Sequence, residues 1–442
     1  MDPSVGIVAP VFRARIHTAC PRVFLYGTRH SSVRELAPHR LRASTACSTA
    51  GIDTERRSAL RACIIEGLER YAGGIIPEGE LVTGTEQQIE RHGYRVLGQN
   101  AFSYFLPAQL RSPAFAYDPW TRQARLRWCL CESLAGNEPA YVPAQLVYVP
   151  YTPAEGETRV FCSTSNGLAC HRSLDHARYA GLCEVVERDA FLIYWHHMSA
   201  RPEVRVDSLH GKDRSIDRLL ALVRAVPALT LTVKDITTDV RVPAVLCVLR
   251  NRSNRDAPAA AFAAAADLDV WRALRKALNE LLGTYGYAHR LQTETACGRH
   301  MELGPEHWNK VRSLEEHVVL FCGQGIHEYI RWIDAGPSIG IDDLVNDPRW
   351  HRQPWDTCAE HYLHECVARL KAAGLEVFSR DVTSPEIVPY GFQVARVVVP
   401  GCVPLHSIHA SRPLGCPRLE QVPPRLGLPC ASAPNEVPHP YP

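Results

Sequence analysis

Two segments of this 442-residue chain carry the same short signature, E-x-x-E-R, within helical patterns. It occurs in ACIIEGLERY (62–71) and again in AGLCEVVERD (180–189). Residues three apart lie on one face of a helix, so each segment predicts two carboxylates on one side, next to apolar neighbours. Carboxylates near a core are costly unless a cation holds them, and both arginine and Mg²⁺ can do so. The matching pairs are Glu66 and Glu184, Glu69 and Glu187, and Arg70 and Arg188.

A solvated helix face is the alternative interpretation of this signature. One copy of E-x-x-E-R is usually such a face, because charged residues line exposed helices. Two copies at the same helical phase, each beside an apolar stripe, favour a shared site. On these residues alone both interpretations stay open.

The charge balance excludes several classes of function. The chain has 49 basic and 47 acidic residues and a net charge of +2. Binding to nucleic acid or to a membrane surface needs a concentrated positive field, which this composition does not indicate. A second set of observations concerns targeting. The sequence shows no secretory signal and no apolar run long enough to span a membrane.

We therefore expect a cytoplasmic protein whose sixteen cysteines are buried thiols.

Hydrophobic periodicity predicts helices that alternate with strands, which indicates a mixed α/β fold. Helices are expected over 53–72, 173–195, 213–226, 268–290 and 356–374. Asp53 or Thr54 is expected to cap the first, and Ser173 the second. We interpret residues 80–160, for example YVPAQLVYVPY at 141–151, as strands and turns. The expected domains are a lead-in (1–40), a main domain (41–410) and a tail (411–442) rich in proline, extended rather than packed.

The segment FCSTSNGLACHRSLDHA (161–177) leads into the second helix. A turn of Ser, Thr, Asn and Gly at a helix N-terminus can offer backbone N–H groups and hydroxyls to an anion. The chain has neither a P-loop motif nor a G-x-G-x-x-G motif. Taken alone, such a turn is usually only a turn.

These motifs together resemble the YcaO family. TSNGLA followed by LCEVVERDAFLIYW resembles the central signature of that family, and IIEGLERY resembles its first ATP-site helix. Residues 374–419 and the final PHPYP (438–442) are similar to the closing part of azoline-forming YcaO cyclodehydratases, which end in PxPxP. The resemblance covers about residues 40–442.

The resemblance implies a YcaO-type ATP-binding fold with two pseudo-repeated halves, which binds ATP and Mg²⁺ without a Walker motif. The implied metal ligands are Glu66, Glu69, Glu184, Glu187 and Glu280. Arg70 and Arg188 stand beside them, and Ser165 and Asn166 fall in the family's nucleotide-contacting turn.

The implied activity is ATP-dependent cyclodehydration of a ribosomally made precursor peptide. A Cys, Ser or Thr side chain attacks the preceding amide carbonyl, ATP phosphorylates the oxyanion, and loss of phosphate leaves an azoline. Arg188 is expected to help neutralise the developing charge. The tail, with Pro438, Pro440 and Pro442, is expected to enter the active site, where the terminal carboxylate assists proton transfer or orders the site. A tail that is only docked or solvated is the alternative.

The resemblance also implies partners. No segment resembles the E1-like module of fused homologues, so we expect a separate E1-like or ThiF-like leader-binding protein. A flavin-dependent azoline dehydrogenase is expected downstream, and a homodimer is left open. Two rival functions are a different YcaO chemistry, thioamide or macroamidine formation, and a non-catalytic scaffold in a peptide-modifying complex.

Four positions depart from the family pattern. Ala50 stands where lysine is expected, Arg172 where asparagine is common, and His176 at an acidic position. Gly283 lies near a position often held by glutamine. These departures favour a weakened ATP site or one that a partner completes, and they motivate the scaffold alternative.

A second group of metal-capable residues lies in CAEHYLHEC (358–366), where Cys358, His361, His364 and Glu365 fall close together. A zinc site needs about four ligands, and no other cluster pairs with this one. We therefore expect an amphipathic helix that packs on a sheet. His196 and His197 are expected to be structural residues at the end of a helix.

Overall fold

The computed structural model describes residues 6–29, 48–77, 79–162, 164–294, 304–347 and 359–442. Helices and strands interleave along these ranges, which confirms the mixed α and β class. The longer helices are α1 (Arg56–Gly73), α2 (Glu86–Arg91), α5 (Leu174–His197), α6 (Arg214–Arg224), α7 (Val270–Glu294), α9 (Leu314–Leu320), α12 (Ala359–Ala372) and α13 (Pro417–Arg425). Short helices are α3 (Pro107–Leu110), α4 (Ala144–Val147), α8 (Pro305–Trp308), α10 (Ile326–Tyr329) and α11 (Ile341–Val345).

The strands form three sheets in the described part of the chain. The first has the order β1 (Phe12–Arg13), β2 (Phe24–Arg29), β3 (Ser48–Asp53). The second has the order β11 (Ala260–Ala266), β10 (Ala244–Asn251), β9 (Leu229–Asp235), β8 (Glu203–Val204), β12 (Ser338–Ile339). The third has the order β4 (Val82–Gly84), β5 (Leu126–Ser133), β13 (Phe378–Asp381), β14 (Gln393–Val398), β7 (Leu168–His171), with β6 (Ala140–Pro143) paired to β5.

Helix α5 is the central element. It packs on β14 and β7 of the third sheet, on β11 of the second sheet and on α12. Most of its residues are buried, because apolar side chains surround it on nearly every side. Its polar faces can therefore only meet other protein groups or a bound ligand.

Strand β11 separates two hydrophobic clusters. Its sequence AAFAAAA is buried along its whole length. Ala263 and Ala265 face the cluster that contains α7, whereas Phe262 and Ala264 face the cluster that contains α5. Alternation along a strand sends successive side chains to opposite faces, so this edge strand is a thin wall between the two helices.

The predicted helices are all present, but the first begins later than expected. Asp53 and Thr54 precede the helix, and the N-cap is Glu55, whose side chain makes no capping bond. Asp53 Oδ1 instead accepts a hydrogen bond from the Glu55 backbone N–H, at 2.8 Å. The cap prediction for Ser173 is confirmed, since its side chain accepts from the backbone N–H of His176.

The prediction of strands and turns over residues 80–160 is corrected by the structure, because α2, α3 and α4 lie within this range. Strand β6 runs directly into α4, whose four residues are all buried. Pro143 and Pro150, on either side of α4, make this part of the sequence look like a loop. A single helical turn is not stable alone, so tertiary packing stabilises it here.

The proline-rich tail is packed, which corrects the expectation of an extended, unpacked segment. Pro417 lies in the first turn of α13, where its missing N–H has no helical partner in any case. Pro423 and Pro424 lie inside the same helix at a local cost. Burial of one face of the helix offsets that cost. Proline content alone does not indicate that the segment is buried.

Arg418 anchors α13 to the centre of the molecule. Its guanidinium is 3% exposed and lies 2.7 Å from an oxygen of Asp189, which is 1% exposed on α5. A second carboxylate, Asp239, lies 2.8 Å away. The backbone N–H of Val403 also donates to Asp189, at 3.0 Å. Four separate parts of the chain are thereby joined at one buried ion pair.

Substituting Arg418 by Met should lower the free energy of unfolding by about 3–5 kcal/mol, because it leaves the Asp189 carboxylate buried without its cation. Urea denaturation measures this. The matched control is Arg425→Met on the same helix, which breaks the pair with Asp239 from a side chain that is 46% exposed. That variant should lose at most about 1 kcal/mol. Equal losses in the two variants would contradict the anchoring role of Arg418.

Candidate active site

The five predicted carboxylates lie together where α1, α5 and α7 approach one another. Helix α1 packs on β3 and β7, and α5 packs on β7 as well. Glu184 of α5 is close enough to act electrostatically on Glu69 and Arg70 of α1 and on Lys276 of α7. The repeated E-x-x-E-R signature thus marks one continuous cluster rather than two solvated faces.

The α1 half of the cluster is held by Arg70. Its Nη2 atom lies 3.2 Å from Glu66 Oε1, and its Nε atom lies 3.8 Å from Glu69 Oε1. The backbone N–H of Ala50 on β3 donates to the other oxygen of Glu66, at 3.1 Å. Glu66 is therefore oriented from two sides.

The α5 half repeats this arrangement. Arg188 Nε lies 3.5 Å from Glu187 Oε1, and Arg188 Nη2 lies 4.0 Å from Glu184 Oε1. Lys276 on α7 contacts both Glu187 Oε2 at 3.4 Å and Glu280 Oε1 at 3.8 Å. Sequence reasoning missed Lys276, although its spacing of four residues from Glu280 places the two on one helix face.

Burial shapes the electrostatics of this cluster. It raises the pKa of Glu69 to about 8 and that of Glu280 to about 7, against the opposing effect of Arg70 and Lys276 respectively. Burial also raises the pKa of Glu187, which is 1% exposed. Glu280 keeps 41% of its surface exposed, so the cluster runs from a buried end at Glu187 to an open end at Glu280.

The cluster fits a bound cation with phosphate groups. Its five carboxylates outnumber the three cationic side chains that contact them, and the raised pKa values of Glu69 and Glu280 show that these partners do not stabilise all five carboxylates in the charged form. Conversely, Arg188 Nη1 is buried and has no hydrogen-bond partner among the described residues, and neither has Asn166 Oδ1. Mg²⁺ takes carboxylate oxygens, and a guanidinium N–H binds phosphate, so both mismatches point to the same kind of ligand.

The turn that contains Ser165 and Asn166 lies against α5 as the sequence predicts. Gly167 has φ +88°, and a Cβ atom there would lie 2.4 Å from the carbonyl oxygen of Val397. A Cβ on Gly181 would lie 2.6 Å from the carbonyl oxygen of Gly167. Glycine at both positions lets the turn contact the helix directly.

Asn166 lines a small cavity of roughly 40 Å³ together with Val185 and Arg396. Arg396 Nη1 donates to the carbonyl oxygen of Thr164 at 3.0 Å. Burial lowers the pKa of Arg396 to about 10, which still leaves it charged at neutral pH. Sequence reasoning missed this cation because β14 reads only as a strand.

The end of the tail lies against the α5 half of the cluster. The guanidinium carbon of Arg188 is 4.2 Å from the centre of the Tyr441 ring, and Tyr441 also packs edge-on against Phe191. Pro438 and Pro440 are buried, whereas Pro442 is exposed. The structure thus brings the PxPxP segment next to Arg188, and Tyr441 is a neighbour of the cluster that the sequence analysis did not single out.

Two departures from the family pattern, Ala50 and Gly283, adjoin the cluster and have structural effects. Ala50 supplies its backbone N–H to Glu66, which any residue except proline could do. Gly283 lets α7 approach β3, because a Cβ there would lie 2.0 Å from Ile52 Cδ1. A glutamine would not fit at this contact.

The other two departures lie outside the cluster. Arg172 donates to the carbonyl oxygen of Tyr390 at 2.9 Å and lies over the Phe392 ring. His176 pairs with Ser173 at the N-terminus of α5, two turns before Glu184. Both side chains have partners that explain them without a nucleotide.

The second predicted metal-capable group is not a metal cluster within the described residues. Cys358 lies outside those residues. His361 and His364 are exposed on α12, and Glu365 pairs with Arg369 at 2.7 Å. Helix α12 is amphipathic, as the sequence predicts, but it packs on α5, whereas the sequence predicts packing on a sheet.

Comparison with known proteins gives a family match and several structural neighbours. The model of the YcaO cyclodehydratase family, described as ATP- and Mg²⁺-binding, matches residues 50–403. An uncharacterised protein of Methanothermobacter thermautotrophicus is 28% identical over 356 residues, which is 80% of each chain.

Three solved structures share the fold at identities below 25%. A heterocyclase in complex with substrate and cofactor has a TM-score of 0.74 and 22% identity; the match covers 100% of this chain and 56% of that one. The YcaO protein of Methanopyrus kandleri bound with AMPPCP and Mg²⁺ has a TM-score of 0.61 and 23% identity, covering 89% and 86%. The microcin synthetase McbBCD complex of E. coli with pro-MccB17 bound has a TM-score of 0.55 and 16% identity, covering 90% and 89%. This chain spans little more than half the length of the first.

The contact between Gly283 and Ile52 predicts that the effect of Gly283→Ala on the free energy of unfolding changes sign when Ile52 is also substituted. Gly283→Ala should destabilise the protein by about 1–3 kcal/mol through overpacking. In an Ile52→Ala background the same change should stabilise it by up to about 1 kcal/mol, because alanine favours the helix over glycine. Urea denaturation of the four variants measures the coupling.

Gly286→Ala on the same helix is the matched control, since a Cβ there meets only Ile16 Cδ1 at an ordinary 3.5 Å. It should stabilise the protein in both backgrounds. Equal effects of Gly283→Ala in the two backgrounds would show that the close approach to β3 does not restrict position 283.

Proposed function

Because this chain belongs to the YcaO family of ATP- and Mg²⁺-binding cyclodehydratases, we propose that it converts Cys, Ser or Thr residues of a ribosomally made precursor peptide into azolines. The observation that carries the proposal is the single cluster of five carboxylates, Arg70, Arg188 and Lys276. Its excess of carboxylates over cations and the unpartnered Nη1 atom of Arg188 match the ligand that this reaction requires.

The proposed roles follow from position in the cluster. Glu66, Glu69, Glu184, Glu187 and Glu280 are the proposed Mg²⁺ ligands. Arg188 Nη1 is proposed to donate to a phosphate oxygen, and Asn166 is proposed to contact the nucleotide. Bound MgATP supplies the phosphoryl group that turns a poor leaving group, the amide oxygen, into a good one. Arg70 and Lys276 orient the carboxylates and offset part of their mutual repulsion.

We propose that the tail completes the active site. The Tyr441 ring lies over Arg188, and the next residue, Pro442, is exposed, which supports a role for the end of the tail beside the α5 half of the cluster. Its carboxylate is proposed to accept or relay the proton that the attacking side chain loses. Pro438 and Pro440, both buried, fix the path of the backbone that carries it.

The proposed partners are a precursor peptide, an E1-like or ThiF-like leader-binding protein and a flavin-dependent azoline dehydrogenase. The structural similarity to a synthetase complex with a bound pro-peptide supports assembly with other proteins. The non-catalytic scaffold is the second candidate, because Ala50 offers the cluster a backbone N–H but no cationic side chain. The two candidates differ in whether the folded protein binds and consumes ATP.

Binding of ATP in the presence of Mg²⁺, measured by calorimetry, should be saturable. Glu184→Gln and Glu187→Gln should weaken it on the order of 100-fold, because each removes a proposed ligand charge. Asp175→Asn is the matched control: it makes the same change on the same helix, at a side chain that is 42% exposed and distant from the cluster. No binding by the folded wild-type protein, alone and with its leader-binding partner, would favour the scaffold.

Removal of residues 438–442 should lower azoline formation on the order of 10²–10³-fold while the protein stays folded. The assay mixes the protein with MgATP, the partner and a candidate precursor, and mass spectrometry detects the loss of one water per ring. Pro429→Ala, an exposed proline of the same tail, should retain activity. Full activity after truncation would contradict the role of the tail and reopen thioamide or macroamidine chemistry.

A further inference from the structure

A second buried cluster, of histidines, lies outside the carboxylates. His317 is on α9, His406 follows β14, and His439 lies between the two buried prolines of the tail. All three side chains are nearly inaccessible to solvent, at 0%, 2% and 1% exposure. One ring nitrogen from each residue lies within 4.8 Å of the other two. Three imidazoles from distant parts of the sequence therefore converge on one point.

Both ring nitrogens of His317 face carbonyl oxygens, although a neutral imidazole can donate from only one of them. Its Nδ1 atom lies 2.7 Å from the carbonyl oxygen of His439, and its Nε2 atom lies 3.2 Å from the carbonyl oxygen of Ser407. A neutral imidazole carries only one N–H, so one of these nitrogens presents a lone pair to a carbonyl oxygen. Protonation would satisfy both, but burial lowers the pKa of His317 to about 4. A different cation would remove the mismatch.

His406 has two nitrogens without a hydrogen-bond partner in the described structure. Burial lowers its pKa far below the ordinary value, which keeps the ring neutral with one lone pair available. A neutral imidazole is the form that ligates a metal. His439 donates through Nε2 to the carbonyl oxygen of His406 at 2.7 Å, while its Nδ1 accepts only a long bond, 3.3 Å, from the backbone N–H of Tyr441. Each of the three rings thus has a nitrogen whose hydrogen bond is absent or long.

We propose that His317, His406 and His439 bind one transition-metal ion, with Zn²⁺ as the expected ion. Imidazole nitrogen suits zinc and its neighbours in the first transition row, and three histidines with one open position form a familiar zinc site. Zn–N bonds of about 2.0–2.1 Å in a tetrahedral site bring the nitrogens to about 3.4 Å from one another. The ring nitrogens, which now lie up to 4.8 Å apart, approach by up to about 1.4 Å on binding, and the His317 and His439 rings, whose centroids are stacked 3.8 Å apart, rotate out of the stack so that both lone pairs face the ion. Mg²⁺ prefers oxygen ligands and does not compete for this site.

The proposed metal fastens the tail to the body of the protein. His439 is two residues before Tyr441, whose ring lies over Arg188. His317 belongs to α9 and His406 to the segment after β14, so the ion joins these two segments to the tail two residues before Tyr441. The metal site itself does not depend on the reaction proposed above.

The test uses the full chain, freed of metal with a chelator and then titrated with Zn²⁺ against a chromophoric chelator. Wild-type protein should bind one equivalent of zinc. His406→Phe, which keeps the ring shape but removes both nitrogens, should bind it at least 10-fold more weakly. The matched control is His289→Phe, at another buried histidine, which stacks on His17 outside the cluster and should bind as wild type does.

Glu184→Gln separates this site from the carboxylates and should leave zinc binding unchanged. Zinc lost in that variant but retained in His406→Phe would overturn the proposal. A measurement on the wild-type protein alone avoids dependence on how the variants fold: Co²⁺ should give the visible absorption bands of a tetrahedral nitrogen-ligated site. Folded wild-type protein that binds neither ion would overturn the proposal as well.

Discussion

Glu187 shares its two carboxylate oxygens between Arg188 of its own helix and Lys276 of α7. Since Glu187 is almost completely buried, these contacts decide whether its charge can exist where it lies. They also fix the position of α7 relative to α5, and with it the position of Glu280. Glu184, one turn earlier on α5, extends the same network to Arg70 and Glu69 on α1. The candidate active site is thus a consequence of how three helices share charge.

Much of this site could be predicted from the sequence because its signal is local. The spacing within each E-x-x-E-R segment sets which side chains share a helix face, and the repeat indicates that the two faces belong together. Asn166 could be found in the same way, because the turn and the helix N-terminus are adjacent in the chain. The structure places the carboxylates and arginines of the two segments in one cluster, and Asn166 in the turn that leads into α5.

The remainder depends on contacts between residues that are far apart in the chain. Arg396 reaches the cavity only because β14 lies beside the turn at Thr164. The packed tail could not be foreseen either, since high proline content is typical of extended segments. What stabilises it is an ion pair between residues 418 and 189 and a tyrosine over Arg188, and neither leaves a periodic signal. The departure at Gly283 likewise has a steric explanation that only the position of Ile52 provides.

The alanine-rich strand β11 affects the distance between helices α5 and α7. Its methyl groups are the thinnest side chains that can still exclude water from both faces, and α5 and α7 pack on opposite faces of it. The thickness of this wall sets how near the two helices come at the sheet edge, where Lys276 meets Glu187. The strand therefore sets the distance between the charged side chains of α5 and α7 at the candidate active site. Bulkier side chains along it would widen that gap without touching any charged residue.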